Sequence, residues 1–247
     1  VSPDGSKIAY LGYDDNMDSY QLSNAYIMNA NGSGKRVLTD NFDRSVSNLQ
    51  WSKDGLYLQY DDEGNGKIGF ISLNEDDEIQ KVADDRGGTT IGRPYGSGSY
   101  TVSSSGHIAY TYATPYHPGD VAVTDQDGNM NRLTNVNEDL FGHKRLGEVE
   151  EIWYKSSYDG KQIQGWIIKP PNFNPDKKYP LMVLPHGGVH ADFTTYYTHI
   201  IRELMAQEYI VVAAEYRGST GYGKTHYEKI DYDIRYCNTF GELWRRG

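Results

Sequence analysis

The chain has 247 residues and carries 24 Lys+Arg against 34 Asp+Glu, a formal net charge of −10. That acidic balance argues against nucleic-acid binding and against binding to anionic membranes, which both need a basic footprint, and no apolar run approaches the roughly 20 residues of a membrane-spanning helix. One cysteine, Cys237, excludes an intrachain disulfide scaffold, while 22 tyrosines and 27 glycines suit short strands and tight turns.

Three segments in the first part of the chain follow one pattern. They are Val1-Ser2-Pro3-Asp4-Gly5, Trp51-Ser52-Lys53-Asp54-Gly55 and Val102-Ser103-Ser104-Ser105-Gly106, each an apolar residue, serine, two variable residues and glycine. An alternating strand ending in Tyr10, Tyr60 or Tyr110 follows each of them. Each then leads to a second strand, turn and strand: 25–32 into 36–39, 68–73 into 79–82, and 120–128 into 131–134. A period near 50 built from short alternating strands predicts β-propeller blades; an antiparallel sandwich is the alternative. The Asp-Gly pairs 4–5, 54–55 and 127–128 predict turns in which glycine supplies a positive φ. Propellers close with about 4–8 blades, so about three blades are incomplete. With a start at Val1 and no signal peptide, the sequence is expected to be part of something longer.

Residues 138–149 are polar and are expected to form a loop. They divide residues 1–145, a partial propeller, from residues 146–247. In the second part Glu150–Lys155 and Ile163–Lys169 predict two strands joined by a turn at Ser156–Gly160. Pro170 to Pro175 cannot continue a central strand. Pro180–Leu184 is a continuous apolar run, expected as a strand buried on both faces. Thr194–Glu208 predicts a helix with Thr194 as N-cap and Tyr197, Ile200, Ile201, Leu204 and Met205 on one face. Ile210–Glu215 is the next buried strand, completing a βαβ unit.

The first strand of that unit runs into His186-Gly187-Gly188. Backbone N–H groups held at a strand end can face the oxyanion that forms when a carbonyl is attacked, and glycines let the chain turn without a Cβ in the way. This arrangement resembles the oxyanion-hole segment of an α/β-hydrolase, in which a second N–H follows the nucleophilic serine. Asp159-Gly160-x-x-Ile163-x-Gly165-Trp166, then Tyr179 to Gly188, then Tyr216-Arg217-Gly218-Ser219-Thr220-Gly221-Tyr222-Gly223 resemble the start of the catalytic domain of the prolyl oligopeptidase family, most of all its acylaminoacyl-peptidase-like branch. The resemblance runs from about Glu150 to Tyr232.

What the resemblance implies is a serine peptidase that cuts short peptides, needs no cofactor or metal, and uses its propeller to restrict entry. It implies Gly188 as the oxyanion N–H donor, His186 and Gly187 as residues shaping the turn, and Arg217 and Tyr222 as parts of a loop beside the site. The fold expected is therefore about three incomplete β-propeller blades followed by the N-terminal part of an α/β-hydrolase domain. Oligomeric state and compartment stay open. The repeats also resemble TolB-type propellers, so a non-catalytic binding protein is one alternative, and an esterase of the same superfamily is another.

The nucleophile is not expected within these residues. No Gly-x-Ser-x-Gly occurs, and Ser219 lacks the glycine two positions before it. The triad is expected beyond Gly247, so the segment itself should be inactive. Asp233–Gly247 departs from the family's pattern. His190, Asp192 and His199 do not have the spacing of a helix-borne metal pair and are expected as loop polarity. Cys237 is expected to be an inert thiol, and the acidic runs 14–16, 61–63 and 75–78 are expected as solvated loops.

Overall fold

The computed structural model describes residues 1–18, 20–73, 77–88, 98–157, 159–187, 190–194 and 199–227. Four sheets account for all the strands among these residues. The first contains β1 (Lys7–Gly12), β2 (Asn24–Asn29) and β3 (Arg36–Val37), and the second β4 (Val46–Trp51), β5 (Gly55–Asp62), β6 (Asn65–Ser72) and β7 (Ile79–Ala83). The third contains β8 (Tyr100–Val102), β9 (Ile108–Thr114), β10 (His117–Thr124) and β11 (Asn131–Arg132). In all three, sequence neighbours pair antiparallel, as the strand–turn–strand repeats predict.

The repeated serine works as a local turn cap. Ser2 Oγ accepts the Lys7 N–H at 2.9 Å, Ser103 Oγ accepts the His107 N–H at 3.0 Å, and Ser52 Oγ accepts the Asp54 N–H at 3.2 Å. Gly5, Gly106 and Gly128 adopt φ values of 74°, 84° and 82°, conformations costly for residues with a Cβ. Gly55 corrects the expectation for its Asp-Gly pair. It opens β5 without a positive φ, and glycine is needed because a Cβ would lie 2.3 Å from the Ile71 carbonyl oxygen.

β5 is buried on both sides. Leu56, Leu58 and Tyr60 face a cluster with Ala25 and Ile27 of the first sheet and Leu38 just after it, whereas Tyr57 faces one with Ile108, Tyr110 and Ala122 of the third. The period-two alternation of a strand thus serves two cores at once. Gln50 ties the second sheet to the third: its Nε2 donates to the Tyr100 carbonyl at 2.8 Å and its Oε1 accepts the Val102 N–H at 3.1 Å.

The fourth sheet has the order β12 (Val149–Lys155), β13 (Gln162–Ile168), β15 (Ile210–Ala214), β14 (Leu181–Leu184). β14 and β15 run parallel and the other pairs antiparallel. β14 is not buried on both faces as its apolar run suggests: it is an edge strand among the described residues, and Leu181 is 59 % exposed. The later strand, β15, inserts between β13 and β14 and takes the covered place, with Val211, Ala213 and Ala214 buried.

Three short helices lie among the described residues. α1 (Glu138–Phe141) forms within the stretch expected as loop, with Glu138 and Asp139 in its first turn, where the helix dipole favours acids. α2 (His199–Ala206) buries Ile201 and Met205 against Trp166, Ile168, Phe193 and Val211. Tyr197 and the rest of 195–198 lie outside the described residues, as do Cys237 and the whole of 233–247; Thr194 is buried. α3 (Lys224–Tyr227) closes the described part of the chain.

Candidate oxyanion-hole site

Two loops leave neighbouring parallel strands on the same side. Residues 185–194 follow β14, and residues 215–223 follow β15. The His186 ring stacks on Tyr216 with centroids 4.3 Å apart and planes 18° from parallel. Its Nε2 lies 2.8 Å from Ser219 Oγ, and Tyr216 Oη donates to the His186 carbonyl at 2.7 Å. Ser219 Oγ donates to the Tyr216 carbonyl at 2.7 Å, which assigns the proton between His186 and Ser219 to the histidine. Further along, the Thr220 N–H reaches the Ala191 carbonyl at 2.9 Å, His190 Nδ1 lies 3.2 Å from the Gly218 carbonyl, and Glu215 accepts the Phe193 N–H.

The expected site residues fall around this arrangement. His186 is buried, and Gly187 is exposed beside it. Gly188 lies outside the described residues, but the chain is anchored on both sides of it. Arg217 pairs with Asp159 of the β12–β13 turn at 3.1 Å and lies 3.5 Å from His226 Nδ1. Burial lowers the Arg217 pKa against the opposing charge of Asp159. Burial and the Arg217 charge hold His226 down to about 4, so it is neutral at neutral pH. Tyr222 Oη donates to Gln164 Oε1, whose Nε2 donates to Glu151 at 3.0 Å. Burial pushes the Tyr222 phenol up, keeping it neutral. Both residues brace the loop against β12 and β13.

Ser219, His186 and Glu215 superficially resemble a serine–histidine–acid relay. Ser219 is fully buried, however, and Glu215 Oε2 approaches the same Nε2 as Ser219, at 3.5 Å. A working relay needs its acid at Nδ1 and a serine open to substrate. Here the three residues secure the strand ends.

Other residues at this place were not singled out from the sequence as parts of a site. Tyr20, from the β1–β2 loop, stacks on His190 at 5.1 Å and meets Tyr227 edge-on at 4.8 Å. Glu63 donates its N–H to the Gly221 carbonyl at 3.1 Å, and Lys224 donates its N–H to Asp43 Oδ1 at 2.8 Å. A cavity of about 60 Å³ lies between the two parts of the chain, lined by Tyr20, Ser45, Asp61, Thr220, Gly221 and Tyr227 among others. Asp61 and Asp62 are not in a solvated loop: they end β5, where Asp61 pairs with Arg86 at 2.9 Å and Asp62 with Arg44 at 2.7 Å. Continued alternation through residue 62 was the available signal. Among the described residues no three His, Cys, Asp or Glu side chains gather as a metal site, and no helix is long and apolar enough to cross a membrane.

Comparison with solved structures defines the class of fold. The chain superimposes on an acylaminoacyl peptidase in complex with Z-Gly-Gly-Phe-chloromethyl ketone with a TM-score of 0.75 and 21% identity, covering 100% of this chain and 38% of that one. It matches the acylaminoacyl peptidase of Pyrococcus horikoshii with a TM-score of 0.73 and 21% identity, covering 100% of this chain and 38% of that one. Among curated proteins it is 30% identical over 246 residues to a probable dipeptidyl-peptidase 5 of Arthroderma benhamiae, covering 94% of this chain and 32% of that protein. These relatives bear out the resemblance to the prolyl oligopeptidase family of serine peptidases. The chain spans about one third of the length of the curated relatives it matches, 32% for the first. No family model matches it.

Proposed function

We propose that the chain is part of a serine peptidase that hydrolyses short peptides. Residues 1–145 would be incomplete β-propeller blades and residues 146–247 the beginning of an α/β-hydrolase domain. The observation that carries this reading is the end of β14: it runs into His186-Gly187-Gly188, and the flanking residues are secured to the loop that follows the parallel strand β15. A loop anchored on both sides can present an N–H without reorganising as negative charge develops.

In this mechanism a serine outside these 247 residues attacks the peptide carbonyl. A histidine takes its proton, an aspartate orients that histidine, and the Gly188 N–H donates to the oxyanion. His186 and Gly187 set the turn, and Arg217 and Tyr222 hold the neighbouring loop. Without the nucleophile the rate loss is on the order of 10⁶, so the 247-residue chain is expected to be inactive. A fluorophosphonate probe should leave it unlabelled; stoichiometric attachment to any of its serines would overturn the assignment. The longer parent protein should cleave short peptides. Turnover confined to simple esters would point to an esterase, and no turnover of either to a binding protein.

A further inference from the structure

Asp192 occupies a place the peptidase reading does not use. It lies in the loop between β14 and α2, is 9 % exposed, and its Oδ2 has no hydrogen-bond partner among the described residues. Acidic groups in both parts of the chain lie within electrostatic reach of it: Glu215, fully buried at the end of β15, and Asp61, partly exposed at the end of β5. The Thr220 side chain bonds its carboxyl, and Tyr20 and Tyr222 lie within electrostatic reach. The nearby cations are directed elsewhere, Arg86 to Asp61 and both Arg44 and Lys67 to Asp62. His186 lies against Glu215 and Ser219, and His190 against the Gly218 carbonyl.

We propose that Asp192 is a proton-operated latch between the two parts of the chain. With its proton on, the 190–194 loop docks beside the end of β5; with its proton off, a third carboxylate faces Glu215 and Asp61 and docking weakens.

Burial, then the charges of Asp61 and Glu215, push the Asp192 carboxyl up to about 8. A buried carboxylate without a cation neutralises in this way. The sign follows from linkage. An undocked, solvated Asp192 would lose its proton near 4, whereas the docked one keeps it until about 8. Docking is therefore strongest at acid pH. It weakens about tenfold per pH unit between those two values and levels off above the higher one.

The test is hydrogen exchange on the full chain, read by mass spectrometry on peptides covering 190–194 and 215–222 and corrected for intrinsic rates. Between about pH 5 and about pH 8.5, protection in the wild-type chain should fall at least ~100-fold. The Asp192→Asn variant should change by no more than about 3-fold, because its side chain has no proton to lose in this range. This comparison separates the latch from His186 and His190, which remain in both chains. An unchanged pH dependence in Asp192→Asn, or constant protection in the wild type, would overturn the proposal. If the variant does not fold, carboxyl-¹³C aspartate NMR of the wild-type chain decides. One resonance must titrate near 8; all of them titrating below about 6 would exclude the latch. Neither measurement depends on peptidase activity.

Discussion

Replacing Asp120 by asparagine is expected to destabilise the chain by about 3 kcal/mol or more. The Asp120 side chain is completely buried on β10 and accepts hydrogen bonds from three donors, the Thr134 hydroxyl, the Val136 N–H and the Arg132 guanidinium. Oδ1 accepts the Thr134 hydroxyl at 2.6 Å and the Val136 N–H at 3.1 Å, while Oδ2 faces Arg132 and, at 3.4 Å, His117 Nε2. An asparagine in either orientation turns its NH₂ group toward one of these donor sets. Arg132 would keep Glu138, 3.0 Å away, so the cost arises at position 120. Burial raises the Asp120 pKa, but hydrogen bonds from Thr134, Val136 and Arg132, with the Arg132 charge, outweigh it and hold the pKa below 3.8. Its stabilising contribution is thus present above the unfolded value and disappears as pH falls through the lower folded one. Urea melts of both chains at about pH 7 and about pH 3 check this: the difference should be large at the first and shrink at the second. Equal midpoints at neutral pH would refute it.

Gly147→Ala should be comparably damaging. A Cβ at this position would stand 1.7 Å from the Lys169 carbonyl oxygen and 2.2 Å from Met205 Cε. Met205 can rotate, but the Lys169 carbonyl belongs to backbone leaving β13 and cannot. Overpacking typically costs about 1–3 kcal/mol, and a backbone clash this close should reach the upper end. The damage would spread through α2. Arg202 donates to the Gly147 carbonyl at 3.1 Å and also to the Pro115 carbonyl, and its guanidinium lies 5.4 Å from the Tyr116 ring. Displacing residue 147 would therefore loosen the tie between the fourth sheet and the β9–β10 turn. Thermal unfolding followed by near-ultraviolet circular dichroism should show a lower midpoint for Gly147→Ala; a shift corresponding to less than about 1 kcal/mol would contradict it.

The parts of this fold that can be read from sequence are those governed by neighbours along the chain. Ser2, Ser52 and Ser103 cap turns within a few residues of themselves, so their spacing exposes the repeated sheets. Strand order is different. The run 180–184 is as apolar as 210–214, yet among the described residues β14 is the edge strand and β15 the covered one, because pairing with β13 decides which is shielded. The strand end at His186 is legible from its glycines, whereas the bonds that secure it to Tyr216 and Ser219 depend on two parallel strands lying side by side. Asp192 is the least legible of all. An acid in a polar stretch looks solvated until the fold brings a distant segment over it, and here β5 and the loop after β14 meet only in the finished structure.

Gly64 and Gly223 bear on how the two parts of the chain can diverge. A side chain at Gly64 would strike the Trp166 ring at 2.7 Å, and one at Gly223 would come within 2.0 Å of Asp43 Oδ2. Bulk gained at residue 64 must be matched by a smaller residue at 166, and bulk at 223 by the loss or retreat of the carboxylate at 43. The two parts are therefore free to vary only as a matched pair. A chimaera that borrows one part from a distant relative would inherit a mismatch at both contacts together, even if each part folded correctly by itself.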